Sequence, residues 1–302
     1  MISLPTFCQL QHLVLLAERG HFSRAAAACH VTQSTLSASI KELENIVQAS
    51  LVDRTKRRVV LTPLGREIVE RARRILRDGE DLVEAARAES EPLSGTLRMG
   101  VVPTIGPFLL PNILPGLRRA YPALRLYLVE DLTARLVEEL HAGRLDIVLL
   151  ALPYDCGNVE VRTLFQDPFK VALPHGHPLA GGKTVDLEQL RHTGLLLLKE
   201  GHCLREQALA ACRLADRTEI EPVEATSLHT LVQMVDNGFG ATLLRQLTID
   251  GGILSGTTLA VLPTAGEPPS REIGLIWRRG TGRQREFDLL ASEFGRLVEE
   301  RA

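Results

Sequence analysis

Residues 22–44 read FSRAAAACHVTQSTLSASIKELE and carry the clearest structural pattern in the chain. Ser23 is expected to cap a short alanine-rich helix over 24–29, where the small side chains of Ala25 and Ala26 allow another helix to cross closely. After a break at 30–31, Thr32 is expected to cap a helix with one apolar face, formed by Leu36, Ile40, Leu43 and Val47. The segment therefore predicts two helices joined by a tight turn.

The flanking segments extend this motif to a winged helix-turn-helix over residues 1–61. Residues 4–18 have the apolar spacing of an amphipathic helix that ends at Gly20, and residues 51–61 predict two short strands around a basic tip. The first turns of the third helix carry short polar side chains suited to base edges and phosphates, Thr32, Gln33, Ser34, Thr35 and Ser37. The basic tip consists of Arg54, Lys56, Arg57 and Arg58, which are expected to contact the phosphates of the DNA backbone.

Charge is distributed unevenly along the 302 residues. Residues 1–77 contain 12 basic and 6 acidic side chains, whereas the rest of the chain contains 23 and 31. A basic module on an acidic body is the layout expected when only the first part meets DNA. Double-stranded DNA is therefore the predicted partner, although chance clustering of solvated charge would give the same asymmetry.

The order of residue types over 22–44 resembles the DNA-binding motif of LysR-type transcriptional regulators. The alternative is a small helical domain with an exposed polar face. One position departs from the family pattern, because Gln48 stands where the family usually ends the recognition helix with glycine. A left-handed residue other than glycine costs roughly 1 kcal/mol, so the pattern does not fix where that helix ends.

Thr62 and Pro63 predict the start of a long helix, since a hydroxyl cap is followed by proline at the first helical position. A helix over 64–89 is about 39 Å long, too long to bury itself in so small a domain. Its apolar positions predict a seam against a second copy of the chain, Leu64, Ile68, Ala72, Ile75, Leu76, Leu82 and Val83. Residues 62–90 are therefore expected to form a linker and dimerisation helix.

From residue 96 onward, predicted strands alternate with helical patterns such as 132–141 and 228–237. Strands are expected over 97–102, 124–129, 145–150, 169–173, 195–198, 241–244, 259–262 and 273–277. The alternation predicts an α/β regulatory region over 95–302 with mainly parallel sheets and two Rossmann-like lobes, similar to periplasmic binding proteins. Lobe I is expected over 95–166 plus 269–302 and lobe II over 167–268, with a small-molecule cleft between them.

Composition excludes several classes of protein. With 45% hydrophobic and 24% charged residues, the chain is neither disordered nor fibrous, and five cysteines do not make a disulfide scaffold. No apolar run approaches the roughly 18 residues of a membrane span, and the start lacks a secretory pattern. A cytoplasmic protein without metal or cofactor is expected, and an exported solute-binding protein is disfavoured.

Two cysteines lie nine residues apart in KEGHCLREQALAACRL, residues 199–214. Together with VPTIGP at 102–107 and TSL at 226–228, this segment resembles the OxyR-type hydrogen peroxide sensors, and the resemblance spans essentially the whole chain. It implies an activator of antioxidant genes that responds to peroxide, forms a homotetramer and contacts RNA polymerase.

The residues themselves support this sulfur chemistry. Cys203 is expected to open a helix running to about residue 214, where the helix N-terminus, His202 and Arg205 favour thiolate over thiol. A thiolate attacks the peroxide O–O bond to give a sulfenic acid, which a second thiol resolves to a disulfide. Nine helical residues separate Cys203 and Cys212 by about 13 Å on opposite faces, whereas a disulfide needs Cα atoms within about 7 Å. Oxidation is therefore expected to unwind or remodel 203–212.

The resemblance also implies a peroxide pocket, formed by Thr104, Thr133, His202 and Arg271. Two alternatives remain open, since Thr133 could simply cap a helix from Ala134 and Arg271 could be a solvated strand residue. The family often places proline after the Thr-Leu-Leu run, whereas Arg245 follows it here.

The remaining cysteines are interpreted as packing residues, Cys8, Cys29 and Cys156. Cys8 and His12 lie one helical turn apart and could ligate a metal, but no second ligand pair has a metal-site spacing.

Three functions compete for this pattern. The leading hypothesis is a transcription factor, not an enzyme, activated when Cys203 is oxidised and joined to Cys212. The second is a LysR-type regulator that binds a small metabolite between its lobes, with the cysteines as bystanders. The third is a thiol peroxidase, which would need sustained turnover with a reductant. Replacing Cys203 by serine distinguishes the first two.

Overall fold

The computed structural model describes residues 3–54, 59–88, 91–212 and 224–300. Its described residues form two compact units: unit 1 is drawn from 1–90, 142–144 and 281–283, and unit 2 from 91–141, 145–280 and 284–302. None of the helices in these ranges is both long enough and apolar enough to cross a membrane.

Unit 1 contains the winged helix-turn-helix that the sequence predicts. Its elements are α1 (Phe7–Arg19), α2 (Phe22–Ala28), α3 (Gln33–Val47), β1 (Val52–Arg54), β2 (Val59–Leu61) and α4 (Pro63–Ala88). The strands β1 and β2 pair antiparallel to form the wing. Apolar side chains of α1, α2 and α3 share one core with β1 and with the first turns of α4.

Most helix ends of unit 1 lie where the capping residues predict them. Gly20 ends α1 in the left-handed conformation, with φ of +65°, and the Thr32 hydroxyl accepts a hydrogen bond from the backbone N–H of Thr35 at the start of α3. Gln48 also adopts the left-handed conformation, with φ of +52°, so α3 ends without the usual glycine. The prediction that Ser23 caps α2 is wrong: His21 is the extended residue before the helix, so α2 begins at Phe22 and includes Ser23.

The long helix α4 begins at Pro63, as predicted, and the Thr62 hydroxyl accepts from the N–H of Gly65 at 2.9 Å. Three of the predicted seam positions, Ile68, Ala72 and Leu76, pack instead into the core of their own unit, where α4 contacts α1. The seam against a second copy of the chain stays a prediction. The remaining apolar positions are exposed, Leu64, Ile75, Leu82 and Val83.

Unit 2 contains the two-lobed α/β fold. Its strands are β3 (Gly95–Val101), β4 (Leu124–Glu130), β5 (Ile147–Leu152), β6 (Val159–Leu173), β7 (Leu197–Leu198), β8 (Glu224–Ala225), β9 (Thr242–Arg245), β10 (Ala260–Pro263) and β11 (Ser270–Arg278). Its helices are α5 (Gly106–Ala120), α6 (Thr133–His141), α7 (Cys203–Ala211), α8 (Leu228–Asp236), α9 (Gln246–Asp250) and α10 (Gln284–Glu299).

The sheets of unit 2 are mixed, so the expectation of mainly parallel sheets is wrong. The largest sheet has the order β10-β6-β11-β5-β3-β4, and β9 also pairs with β6. Only β3 with β4, β3 with β5 and β7 with β8 run parallel among the named strands. The reason is that β11 returns antiparallel between β5 and β6, and that β9 and β10 both lie antiparallel to the far half of β6.

Two separate hydrophobic cores underlie the two lobes. The first includes β3, β5, β11 and the buried faces of α5 and α10. The second includes the end of β6 over 169–173, β7, β9 and the buried faces of α7 and α8. The 15-residue strand β6 runs through both, with Val159 in the first core and Phe169 in the second. The domain boundaries given above for lobe I and lobe II stay predictions.

Candidate functional site

Cys203 is the first residue of α7, and the loop before it requires glycine. Gly201 has a φ of +93°, and a Cβ there would lie 2.9 Å from the Leu132 side chain. His202 is the extended N-cap residue that follows. The sequence Gly-His-Cys therefore turns tightly into α7 and brings the start of that helix against the residue that precedes α6.

Three of the predicted site residues come together around the sulfur. Nη1 of Arg271 lies 4.0 Å from Sγ of Cys203 and donates to the Thr104 hydroxyl at 3.3 Å. Nη2 of Arg271 donates to the Thr104 carbonyl oxygen, also at 3.3 Å. Arg271 is only 2% exposed, so the alternative that it is a solvated strand residue is wrong. A positive charge next to the sulfur can stabilise negative charge that develops there.

Asp167, which the sequence did not single out, holds the Arg271 guanidinium in place. Nε and Nη2 of Arg271 each lie 3.0 Å from Oδ2 of Asp167, and both side chains are almost fully buried. Oδ1 of Asp167 accepts from the backbone N–H of Leu247 at 2.9 Å. Because both carboxylate oxygens accept hydrogen bonds, the ion pair is compensated inside the protein.

His202 and Thr133 lie at the neighbouring helix starts. His202 is half-buried, and burial lowers its pKa from the usual 6.5, which keeps the imidazole neutral at pH 7. Thr133 is buried as the first residue of α6, so the helix begins at Thr133 rather than at Ala134. Within the described part of the chain, no hydrogen bond links either residue to Cys203, Thr104 or Arg271.

Cys212 lies at the opposite end of α7 and in a different environment. It is the C-cap residue of the helix and is 2% exposed within the second core, with Leu204 and Ala208. Cys203 is half-buried and packs against the first core instead. All five cysteines are thiols, and nine helical residues put about 13 Å of helix between these two. The helix ends at Ala211, three residues before the predicted end at about residue 214, a position outside the described residues.

Arg245 is a buried residue whose contacts the sequence did not predict. It ends β9 and is 1% exposed; Nη1 donates to the Asp167 carbonyl oxygen at 2.8 Å, and Nη2 donates to Oε1 of Gln207 in α7 at 2.7 Å. Its guanidinium carbon lies 3.3 Å from the centre of the Phe169 ring. Burial, and then the like charge of Arg271, lowers the pKa of Arg245 to about 9, so the group stays charged at pH 7. The only sequence signal was an arginine directly after an apolar strand.

The predicted DNA-contacting side chains of unit 1 line the start of α3. Four of them are exposed, Thr32, Gln33, Ser34 and Thr35. The fifth, Ser37, is half-buried. The Thr32 hydroxyl also lies 2.8 Å from the hydroxyls of Ser34 and Thr35. Arg54 lies in β1, whereas the other basic residues of the predicted wing tip lie outside the described residues, Lys56, Arg57 and Arg58.

Three further cysteines lie elsewhere in the chain, Cys8, Cys29 and Cys156. Burial raises the pKa of Cys29 and of Cys156, with smaller contributions from the neighbouring Cys8 and Asp155 respectively. Sγ of Cys8 lies 3.5 Å from Nε2 of His12. Among the described residues there is no cluster of three or more histidine, cysteine or carboxylate side chains that could hold a metal ion.

Two family models match the chain. The model for the bacterial regulatory helix-turn-helix protein of the lysR family matches residues 7–66, and the model for the LysR substrate binding domain matches residues 90–298. The second match alone covers more than half of the chain.

Three proteins similar to the chain illustrate its relationships. It is 39% identical to the HTH-type transcriptional regulator EstR of Acinetobacter baylyi over 298 residues, which are 99% of each chain. It is 41% identical to the hydrogen peroxide-inducible genes activator of Dickeya chrysanthemi, over 93% of this chain and 92% of that one. The solved structure of full-length OxyR from Pseudomonas aeruginosa, in a variant with aspartate in place of a cysteine, superposes with a TM-score of 0.81 at 36% identity, covering 97% of this chain and 95% of that chain.

Proposed function

This chain belongs to the LysR family, and we propose that it is an OxyR-like, peroxide-sensing transcriptional activator, in which hydrogen peroxide oxidises Cys203 and Cys212 then forms a disulfide with it. The family consists of transcriptional regulators rather than enzymes. The observation that carries the proposal is the position of Arg271, with Nη1 at 4.0 Å from Sγ of Cys203 and at hydrogen-bond distance from Thr104.

The first step oxidises the sulfur by two electrons. The Cys203 thiolate attacks one oxygen of hydrogen peroxide, the O–O bond breaks, and the sulfur becomes a sulfenic acid. The second oxygen leaves as hydroxide and takes up a proton to become water. The Arg271 guanidinium and the Thr104 hydroxyl are close enough to this sulfur to bind peroxide and to stabilise the charge on the departing oxygen.

The second step joins the two sulfurs. The Cys212 thiol attacks the sulfenic sulfur, an S–S bond forms, and hydroxide leaves with the thiol proton as water. Cys203 packs against one core and Cys212 is buried in the other, at opposite ends of α7. Since a disulfide needs Cα atoms within about 7 Å, the helix has to unwind for this step, and the unwinding is the structural signal.

Unit 1 is proposed to read double-stranded DNA with the exposed polar side chains at the start of α3, Thr32, Gln33, Ser34 and Thr35, with Ser37 further along the helix. Basic residues of the wing are proposed to contact phosphates, Arg54, Lys56 and Arg57. Copies of the chain are proposed to dimerise and assemble into tetramers, and the activator is proposed to act on RNA polymerase.

The proposal predicts that Cys203→Ser abolishes the response to peroxide while leaving DNA binding intact. The full-length protein is treated with one equivalent of hydrogen peroxide, its disulfides are mapped by mass spectrometry, and DNA footprints are recorded before and after treatment. Cys8→Ser is the matched control, because it removes an exposed thiol from α1 and should change neither result.

Two outcomes contradict the proposal. If Cys203→Ser still changes its footprint with peroxide, the sensing thiol lies elsewhere. If the wild-type protein ignores peroxide but changes its footprint with a small metabolite, the chain is a metabolite-responsive LysR regulator and the two cysteines are bystanders.

A further inference from the structure

The contact between Arg245 and Gln207 ties the middle of α7 to the sheet of the second lobe. Gln207 lies one helical turn after Cys203, inside the segment that has to unwind for the disulfide to form. Its Oε1 accepts from Nη2 of Arg245 at 2.7 Å. Because the donor is charged and buried, this hydrogen bond is of the stronger, charge-assisted kind.

The other contacts of Arg245 make it a fixed anchor. Nη1 donates to the Asp167 carbonyl oxygen at 2.8 Å, and the guanidinium lies over the Phe169 ring. Both partners belong to β6, and Arg245 itself ends the neighbouring strand β9, paired with Phe169. Unwinding of α7 with β6 and β9 still paired would take Gln207 away from this anchor and leave a buried guanidinium N–H without that acceptor.

We propose that Arg245 is a positioning residue for the peroxide response, which holds α7 in its helical, reduced form through Gln207 and so slows disulfide formation after Cys203 has been oxidised. The inference rests on the proposed roles of Cys203 and Cys212. Arg245 does not contact the Cys203 sulfur or bind peroxide in this proposal. It controls how fast the oxidised Cys203 goes on to form the disulfide, for which α7 has to unwind.

The proposal separates the two chemical steps. Sulfenic acid formation depends on the surroundings of Cys203, to which the Gln207 side chain makes no hydrogen bond among the described residues. Disulfide formation requires the Arg245–Gln207 hydrogen bond to break first. Removing that bond should therefore speed the second step, and strengthening it should slow the second step.

The experiment measures both steps in the full-length protein by rapid quenching and mass spectrometry. Sulfenic acid formation is followed in a Cys212→Ser background, and disulfide formation is followed with both cysteines present. Three variants test the contact. Gln207→Met removes the acceptor, and Gln207→Glu makes the contact an ion pair. Arg245→Lys keeps the positive charge but cannot reach both Gln207 and the Asp167 carbonyl oxygen. Gln233→Met on α8 is the matched control, because it makes the same change at an exposed glutamine.

We expect Gln207→Met to form the disulfide roughly tenfold faster, as the loss of a hydrogen bond to a charged group implies, with sulfenic acid formation at the wild-type rate. Arg245→Lys should accelerate the second step to a smaller extent, and the Gln207→Met/Arg245→Lys double variant should not exceed Gln207→Met alone. Gln207→Glu should slow the second step, which general loosening of the fold would not do.

The midpoint potential of the Cys203–Cys212 pair gives an independent measurement. Loss of an interaction present only in the reduced form favours the disulfide, so Gln207→Met should have a more negative potential and Gln207→Glu a more positive one. A tenfold change in the equilibrium constant corresponds to about 30 mV for this two-electron couple.

The outcomes distinguish the inference from the function it rests on. If Cys203 forms no sulfenic acid in any variant, the proposed function fails. If Cys203 is oxidised normally but Gln207→Met and Arg245→Lys form the disulfide at the wild-type rate, or Gln207→Glu forms it faster, the inference is overturned and the function stands.

Discussion

Among the individual side chains, Arg271 combines a structural and a chemical contribution. Its Nε and Nη2 pair with Asp167, and its Nη1 faces Thr104 and Cys203. The carboxylate neutralises a charge that burial would otherwise make costly, and the same contact points the guanidinium at the sulfur. The two contributions can be separated by mutation.

We predict that Arg271→Met lowers the rate of Cys203 oxidation by roughly 100-fold, the usual size of the loss when one charge-stabilising donor is removed. It should also lower the free energy of unfolding by about 3–5 kcal/mol, because Asp167 is left charged and buried. The measurements are stopped-flow peroxide consumption and urea unfolding.

Two further variants separate stability from reactivity. Adding Asp167→Asn to Arg271→Met should recover much of the stability without recovering the rate. Arg279→Met removes an exposed arginine paired with Glu160 and should change neither measurement appreciably. A double variant that regained the wild-type rate would show that Arg271 acts only through folding.

Short-range patterns identified some of these residues, and long-range partners explain why others were missed. The segment around Cys203 carries its own signal, since the glycine, histidine and cysteine are consecutive and open a helix. Asp167 and Arg245 acquire their meaning from partners 104 and 38 positions away in the sequence. Nothing local distinguishes a buried arginine at a strand end from a solvated one.

Among the helices and strands, most helix ends followed the sequence because capping is local. Thr32, Thr62 and Gly20 act at the ends that their side chains or backbone freedom favour. The helix α5 was not assigned, and Pro111 and Pro115 lie inside it. The first part of β6 was also missed, because residues 160–166 are exposed or half-buried and lack a continuous apolar run.

The contact between α1 and α3 predicts a pH dependence centred on His12. Burial lowers the pKa of His12 from 6.5, and its Nδ1 lies 2.8 Å from the hydroxyl of Ser39. Below pH 6.5 the unfolded chain protonates this histidine while the folded chain resists, so the unfolded state binds more protons. The stability of unit 1 is therefore expected to fall as the pH drops from about 7.5 toward the lowered pKa.

Nuclear magnetic resonance of the His12 ring protons, together with urea unfolding at several pH values, tests this expectation. His12→Gln should remove part of the slope of stability against pH. A His12 resonance that titrates at or above pH 6.5 would contradict the prediction.

For the molecule as a whole, the sequence patterns correctly predicted alternating helices and strands, but they did not predict the direction in which the strands pair. Alternating strand and helix patterns favour parallel pairing, yet β11 and β6 pair antiparallel. The direction of a strand within a sheet depends on which distant strand it joins, and β11 joins β5 and β6 after the chain has passed through the second lobe.

The exposed apolar residues of α4 lead to a prediction about assembly. Leu82 is 71% exposed and Val83 is 48% exposed, although the neighbouring Asp81 on the same helix is buried. We expect Leu82→Glu to weaken self-association by roughly 100-fold or more, because a symmetric dimer buries the position twice. Analytical ultracentrifugation measures this, with Arg74→Glu on the exposed surface of the same helix as the control. A variant at Leu82 that associates like the wild type would place the dimer contact elsewhere.

The strand β6 has a consequence for how the protein is made. The first core needs β11 and α10, which leave the ribosome only after residue 270, whereas the described residues of the second core have all emerged by residue 262. During translation the second core can therefore fold around residues 169–173 of β6 before β11, which the first core requires, has been synthesised. The nascent chain acquires its buried Cys212 environment before the guanidinium of Arg271 has even been synthesised.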